Sequence, residues 1–196
     1  MKIDSIRGTI STEKEEYKTV DGEQFYKTTI TIDGQEIPLV ASGYVLKNKS
    51  GKCDVKGLIQ QEHSDDTYKF TYFYATSIRV CKSQDAPDKN EVTLGGRVIR
   101  CFEPMIIGSA LTELLSYRII WYANKGVNFA CIRALGQQAR KLSDMHENQI
   151  INCKCYMEMY KGKLLFYVIE SEYRDTEWKN LRNKATKKKK KKRENK

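Results

Sequence analysis

The sequence predicts an all-β protein: two tandem copies of a small five-stranded Greek-key barrel, followed by a disordered basic C-terminal tail. Three observations carry that expectation. Apolar residues mostly alternate with polar ones instead of recurring every third or fourth position, which is the period of strands. The chain repeats itself weakly, with the polar, turn-rich stretch SQDAPDKN (Ser83 to Asn90) between the two copies. The charge imbalance is confined to the end of the chain, so the two repeats resemble ordinary folded bodies rather than a polycation.

The strands can be read in order. FYKTTITID (Phe25 to Asp33), YKFTYFYATSIRV (Tyr68 to Val80), NEVTLGGRVIR (Asn90 to Arg100) and KLLFYVIESEY (Lys163 to Tyr173) are rich in Val, Ile, Thr, Tyr and Phe, the residues that fit a pleated, half-buried surface. Helical pattern is thin. It is best in GQQARKLSDM (Gly136 to Met145), with a second turn at GYVLKN (Gly43 to Asn48). The repeat pairs SIRGTI (Ser5 to Ile10) with TLGGRV (Thr93 to Val98), which sets Gly8 on Gly96. FYKTTITI (Phe25 to Ile32) falls on SYRIIWYA (Ser116 to Ala123), and IPLVASG (Ile37 to Gly43) on FACIRALG (Phe129 to Gly136). DVKGLI (Asp54 to Ile59) falls on NCKCYM (Asn152 to Met157), and FTYFYATSI (Phe70 to Ile78), to within one residue, on FYVIESEYR (Phe166 to Arg174).

Each copy therefore runs strand, long loop, strand, turn, strand, short helix, strand, turn, strand. Five strands with a helix between the third and fourth is the plan of an OB-fold. A glycine inside the first strand suits it, because that strand bends to join both sides of the barrel. The expected boundaries are residues 1–82 for the first OB-fold, 83–89 for a linker, 90–178 for the second OB-fold and 179–196 for the tail.

The tail, ending KATKKKKKKRENK, holds 11 basic residues and one acid; the whole chain holds 35 and 25, so residues 1–178 hold 24 of each. A lysine block repels itself, buries no apolar surface and stays disordered. It attracts polyanions without reading sequence, or it serves only as a solubilising end. Within the body, residues 1–88 hold 12 basic and 14 acidic residues, and residues 89–178 hold 12 and 10. The second barrel is thus expected to be the stronger anion binder, and the first to act mainly as an assembly surface.

Several function classes fall away. No run of 18 apolar residues predicts a membrane span, and the first residues lack a signal-peptide core, so a cytoplasmic location is expected. The six cysteines form no CxxC pair and are expected reduced. Cys153 and Cys155 would share one strand face, where buried thiols fit better than a metal site with only two histidines elsewhere. SGKC (Ser50 to Cys53) has the Gly-Lys of a phosphate loop but not its upstream glycine or its hydroxyl. No nucleophile sits beside a base. The expectation is a protein that is not an enzyme and takes no cofactor.

NEVTLGGRVIRCFEP (Asn90 to Pro104) resembles the opening strand of the bacterial and phage single-stranded DNA-binding protein family, with its N-x-V-x-L-x-G-R pattern. IIWYANK (Ile119 to Lys125) resembles that family's second strand, and ACIRALGQQARKL (Ala130 to Leu142) its third strand and Gly-initiated helix. In two-barrel versions of the family from Gram-positive bacteria and their mobile elements, this segment carries W-G-x-x-A-R, and Leu135 stands at the Trp. The family's tail is Gly/Pro/Gln-rich with an acidic tip, whereas this chain ends in lysines. The resemblance covers the second half well and the first half in pattern alone.

It implies sequence-nonspecific binding of single-stranded DNA, coating exposed strands in replication, recombination or repair. It also implies a homodimer, which would bring four barrels together, and replication or repair proteins as partners. An RNA- or tRNA-binding OB protein, or a protein-interaction module whose tail alone touches nucleic acid, are the alternatives.

An OB-fold binds single strands across strands two and three and the loops 1–2 and 4–5, with aromatic faces for bases and cations for phosphates. In the second barrel the candidates are Arg97, Arg100, Phe102, Arg118, Trp121, Tyr122, Lys125, Phe129, Arg133, Tyr160, Lys161 and Lys163. In the first they are Tyr17, Phe25 and Lys27. Alternation places Tyr117, Ile119 and Trp121 together on the face that matches Ile30 and Ile32. Trp121 therefore fits the core better than the stacking surface, and Tyr122 is the preferred stacker.

Overall fold

Gly8 and Gly96 mark where each barrel closes. A Cβ on Gly8 would lie 2.3 Å from the carbonyl oxygen of Thr31, and one on Gly96 would lie 2.4 Å from that of Ile120. Both are contacts no side chain tolerates, so each first strand passes its neighbour at a point only glycine allows. The computed structural model describes residues 3–64, 67–109, 111–123 and 126–174. The tail, the side chain of Tyr122 and the whole of Lys125 lie outside the described residues.

The first barrel contains β1 (Asp4–Ile10), β2 (Glu15–Val20), β3 (Glu23–Ile32), β4 (Gln35–Ser42), β5 (Gly51–Ser64) and β6 (Thr67–Val80), with α1 (Gly43–Leu46) between β4 and β5. The second contains β7 (Val92–Cys101), β8 (Met105–Ile107), β9 (Thr112–Ala123), β10 (Gly126–Leu135), β11 (Ile150–Tyr160) and β12 (Lys163–Arg174), with α2 (Gln137–Lys141) between β10 and β11. In each sheet five strands form a ring. The ring β1-β5-β6-β4-β3 closes through β3–β1, and β7-β11-β12-β10-β9 closes through β9–β7. The contacts β4–β6 and β10–β12 are parallel and the rest antiparallel, which is the OB-fold closure. The fold is all-β, as the sequence predicts.

The repeat holds in three dimensions, with two slips. Pairing with the first strand sets Ile30 on Ile119, two residues from the sequence alignment. A slip of two preserves strand parity, so the prediction of the inward face survives: Tyr117, Ile119 and Trp121 are all buried. On the last strand, Phe73 pairs with Leu39 and Phe166 with Ile132, so Phe73, not Phe70, is the counterpart of Phe166. The alignment of DVKGLI with NCKCYM is correct down to the bulge after Lys56 and after Lys154. The long loops are not loops throughout, because each carries a short outer strand, β2 or β8. The helix expected over Gly136 to Met145 is shorter, Gln137–Lys141.

The buried side chains of the two barrels form one continuous apolar cluster. Polar contacts seal the seam. The Asp4 carboxylate accepts the Thr93 N–H (2.9 Å), and the Gln35 side chain accepts the Met159 N–H (2.7 Å). Within the second barrel, Asn90 takes both the N–H and the carbonyl of Met157. The connecting segment lies along the first barrel: Lys89 bridges Arg7 by backbone hydrogen bonds, and Asp88 pairs with Lys52.

Candidate nucleic-acid interface

The outward side of β9 and β10 is the place where an OB-fold meets its ligand, and alternation decides what stands there. With Tyr117 and Ile119 inside, Arg118 points out and is exposed; with Ile132 inside, Cys131 and Arg133 point out. Register sets these side chains in rows. Arg118 is opposite Arg100 on β7 and opposite Cys131 on β10. Arg133 is opposite Ser116 and, on the other side, opposite Tyr167 of β12.

The aromatic rings fall between these cations. Phe102 follows β7, with its N–H donating to the Ser116 carbonyl (3.0 Å). The Arg100 guanidinium stands 5.0 Å from its ring centre and the Arg118 guanidinium 5.9 Å, both within cation–π range. Arg133 donates to the Tyr167 hydroxyl (3.1 Å), and Tyr167 lies nearly parallel to Tyr156, with centres 5.1 Å apart and planes at 10°. Arg133 Nε is buried without a hydrogen-bond partner among the described residues. Burial pushes the Cys131 thiol up, against the pull of Arg133 and Arg118 beside it, so it remains a neutral thiol amid the arginines.

The other predicted residues lie as follows. Arg97 sits half-buried on β7, opposite Ile120 and Ile150. Phe129 is 38 % exposed on the same face as Arg133. Tyr160, Lys161 and Lys163 form the exposed turn between β11 and β12, with the Lys161 ammonium 5.3 Å from the Tyr160 ring. Trp121, at 9 % exposure, is a core residue facing the seam and offers no ring to a base. For Tyr122 the backbone alone is described, paired with Val127.

The first barrel presents a different surface. Phe25 is buried against Val40 and Tyr72, with Tyr17, Phe70 and Tyr74 packed around them. Its ring is therefore taken, which corrects its place among the stacking candidates. Lys27 lies over the Tyr17 ring (4.3 Å) and the Phe70 ring (4.5 Å). Burial, with Glu62 and Tyr72 facing the hydroxyl, pushes the Tyr17 phenol far up, so it stays neutral. A groove of about 660 Å3 runs between the loop before β2 and strands β3 and β4, with Glu13, Glu15 and Glu36 on its walls. Among the described residues those three carboxylates have no ion-pair partner. The Lys14 ammonium, also in the groove, is held by the Leu46 carbonyl (3.3 Å). Lys27 lines the groove too, so three carboxylates against two ammonium groups leave it net acidic.

Sequence reasoning missed Tyr156 and Tyr167. It looked at strands two and three, whereas the parallel β10–β12 contact brings the fifth strand to the edge of that face. The signal was present: alternation in KLLFYVIESEY puts Phe166 in and Tyr167 out. Cys153 and Cys155 are buried side by side, with sulfurs 3.5 Å apart. Among the described residues no three His, Cys, Asp or Glu side chains cluster as metal ligands.

No protein-family model matches the chain, and no curated protein does. Solved structures do. The chain is similar to a deletion mutant of the single-stranded DNA binding protein from Thermus aquaticus, with a TM-score of 0.70 and 14 % identity over 90 % of this chain and 95 % of that one. It is similar to the wild-type protein from Thermus aquaticus as well, with a TM-score of 0.68 and 14 % identity over 88 % and 91 %. At such identity the likeness is one of fold, and it spans both barrels.

Proposed function

We propose that this protein binds single-stranded DNA without sequence preference, through the outward face of its second barrel. One observation carries the reading: Arg100, Arg118 and Arg133 stand on neighbouring strands with Phe102 and Tyr167 among them. Guanidinium groups neutralise phosphates and rings stack on bases of any kind. The fold shared with a protein named for single-stranded DNA binding supports it. The role is non-catalytic coating of exposed strands in replication, recombination or repair, in the cytoplasm of a host or on behalf of a mobile element. The Lys-rich tail, residues 179–196, adds a sequence-blind tether to the two barrels of residues 1–82 and 90–178.

The first barrel serves assembly. Its self-packed aromatics and unpaired Glu13, Glu15 and Glu36 favour that second role over DNA contact. Two barrels per chain then give a four-barrel homodimer, which light scattering showing a monomer at micromolar concentration would exclude.

The test of binding compares the full chain with residues 1–178 on a fluorescent oligo-dT of about 35 nucleotides, with duplex DNA and matched RNA as competitors. Retained, single-strand-selective binding by residues 1–178 supports the reading. Loss of binding with the tail, or equal competition by duplex, points instead to an interaction module whose tail alone touches nucleic acid. Equal competition by RNA moves the protein to the RNA-binding class.

A further inference from the structure

The barrel ring is incomplete at one place on the proposed face. β10 pairs with β9 from Gly126 to Leu135, but with β12 only at Ile132 and Arg133. Along the first half of β10, the edge turned toward β12 thus has no strand partner among the described residues. Open edges expose backbone groups that must be satisfied by some other means. Phe129 lies in this half.

The first barrel supplies the partner. The Phe129 N–H donates to Gln61 Oε1 (2.7 Å), and Gln61 Nε2 donates back to the Phe129 carbonyl. The pair of bonds reproduces what a neighbouring strand would make. Gln61 Nε2 also donates to the hydroxyl of Thr71 (3.0 Å), itself buried, while the Phe129 N–H and carbonyl fix which end of the amide meets which backbone group. Gln61 belongs to β5 of the first barrel, while the strand it holds belongs to the second. The comparable amide contacts of Gln35 and Asn90 hold β11, away from the proposed face.

Phe129 is one of the exposed aromatic side chains of the chain, and it shares its outward face with Cys131 and Arg133. A ring on a strand held along one edge alone would sample more positions, and ordering it on binding would cost affinity. We infer that Gln61 is a positioning residue for single-strand binding: it closes the open edge of β10 and holds the Phe129 ring in place. The inference rests on the proposed single-stranded DNA reading. It gives the first barrel a part in binding without direct contact to DNA.

The experiment uses the full chain and three variants: Gln61→Met, Phe129→Ala and the double variant. Gln61→Met keeps the length of the side chain and removes its hydrogen bonds to the Phe129 N–H, the Phe129 carbonyl and the Thr71 hydroxyl. Affinity for oligo-dT of about 35 nucleotides is measured by fluorescence anisotropy. Backbone hydrogen exchange of residues 126–131 is measured without DNA. Phe129→Ala is expected to weaken binding about fivefold or more, the lower end of what one stacked base is worth. Gln61→Met is expected to weaken it about threefold to tenfold, for a ring freed but not removed. The double variant should bind no worse than Phe129→Ala, because Gln61 acts through that ring, and exchange at 126–131 should accelerate in Gln61→Met.

Additive losses in the double variant would reduce Gln61 to a general structural contact and overturn the proposal. Faster exchange with unchanged affinity would overturn it too, since the clamp would then exist without positioning anything. Unchanged exchange would remove the clamp itself. Should Gln61→Met lower the melting temperature markedly, Thr71→Val, which removes only the hydroxyl contact of the Gln61 amide, must give an intermediate affinity for the proposal to stand. Failure of the unaltered chain to bind the oligomer would refute the DNA reading and the positioning role with it, while exchange would still report on the clamp.

Discussion

Phe102 and Arg118 stand side by side, yet their removal should leave different signatures. The ring of Phe102 has the Arg100 guanidinium 5.0 Å from its centre and the Arg118 guanidinium 5.9 Å away. If a base stacks on that ring, Phe102→Ala removes about 1–3 kcal/mol, a loss of about 5- to 150-fold in affinity at every salt concentration. Arg118→Ala removes a cation. Each phosphate neutralised on a single strand contributes a slope of about −0.7 in log K against log salt. The slope should therefore become shallower by about 0.7 for Arg118→Ala and stay unchanged for Phe102→Ala. The assay is fluorescence anisotropy with oligo-dT at four or more salt concentrations, for the full chain and both variants. Melting curves confirm that each variant folds. An unchanged slope in Arg118→Ala, or a Phe102→Ala affinity within twofold of the parent, would refute the division of labour between ring and cation.

Three further outcomes follow from the packing and the charges. Gly96→Ala places a methyl group 2.4 Å from the Ile120 carbonyl oxygen and should cost about 1–3 kcal/mol or more, lowering the melting temperature by about 2–4 °C for each kcal/mol. Tyr117→Phe removes the hydroxyl that donates to the Leu142 carbonyl at 2.6 Å inside the second barrel. The Leu142 carbonyl keeps the Met145 N–H (3.0 Å), so the loss should be that of one hydrogen bond, about 0.5–1.5 kcal/mol, as read by denaturant unfolding.

Acid should unfold the first barrel through its ion pairs. The hydrogen bond from Arg7 holds the Asp54 carboxyl below the usual carboxylate range. For Asp88, burial pushes the other way, and Lys52 with the Asp33 N–H still holds it low. A depressed carboxyl adds stability above its unfolded value of about 3.9 that is lost as pH falls through the lower folded value. Stability should thus be insensitive to these two groups above about pH 5 and drop below about pH 4, less steeply in an Asp54→Asn, Asp88→Asn variant.

Much of the fold was legible because its signals are local. Gly8 and Gly96 announce the close approach of strands, alternation announces the inward face, and the order of strand and helix announces the barrel. Even the two-residue slip between Ile30 and Ile119 left the inward and outward faces intact, because parity has a period of two. The outer strands β2 and β8 escaped notice because they are short and their residues are mostly exposed, so no apolar alternation marks them. Of the candidate face, the strand plan brought Arg118, Arg100 and Phe102 together, as the register does, and Trp121, weighed toward the core, is buried. Phe25 is covered instead by Tyr72 and Tyr74 of β6, which lie far along the chain and which no local pattern brings to β3. The Gln61–Phe129 contact spans 68 positions, and a side-chain amide carries no local mark of the backbone it will meet.

The central claim is that the β9–β10 face of the second barrel holds the strand. Hydrogen exchange of the full chain with and without saturating oligo-dT tests it most directly. The account predicts slowed exchange in Cys101–Met105, in the Arg118 stretch of β9, and in Phe129–Arg133 of β10, with little change along the acidic groove of the first barrel. Protection confined to the Lys-rich tail, or centred on the Glu13, Glu15 and Glu36 groove, would contradict it.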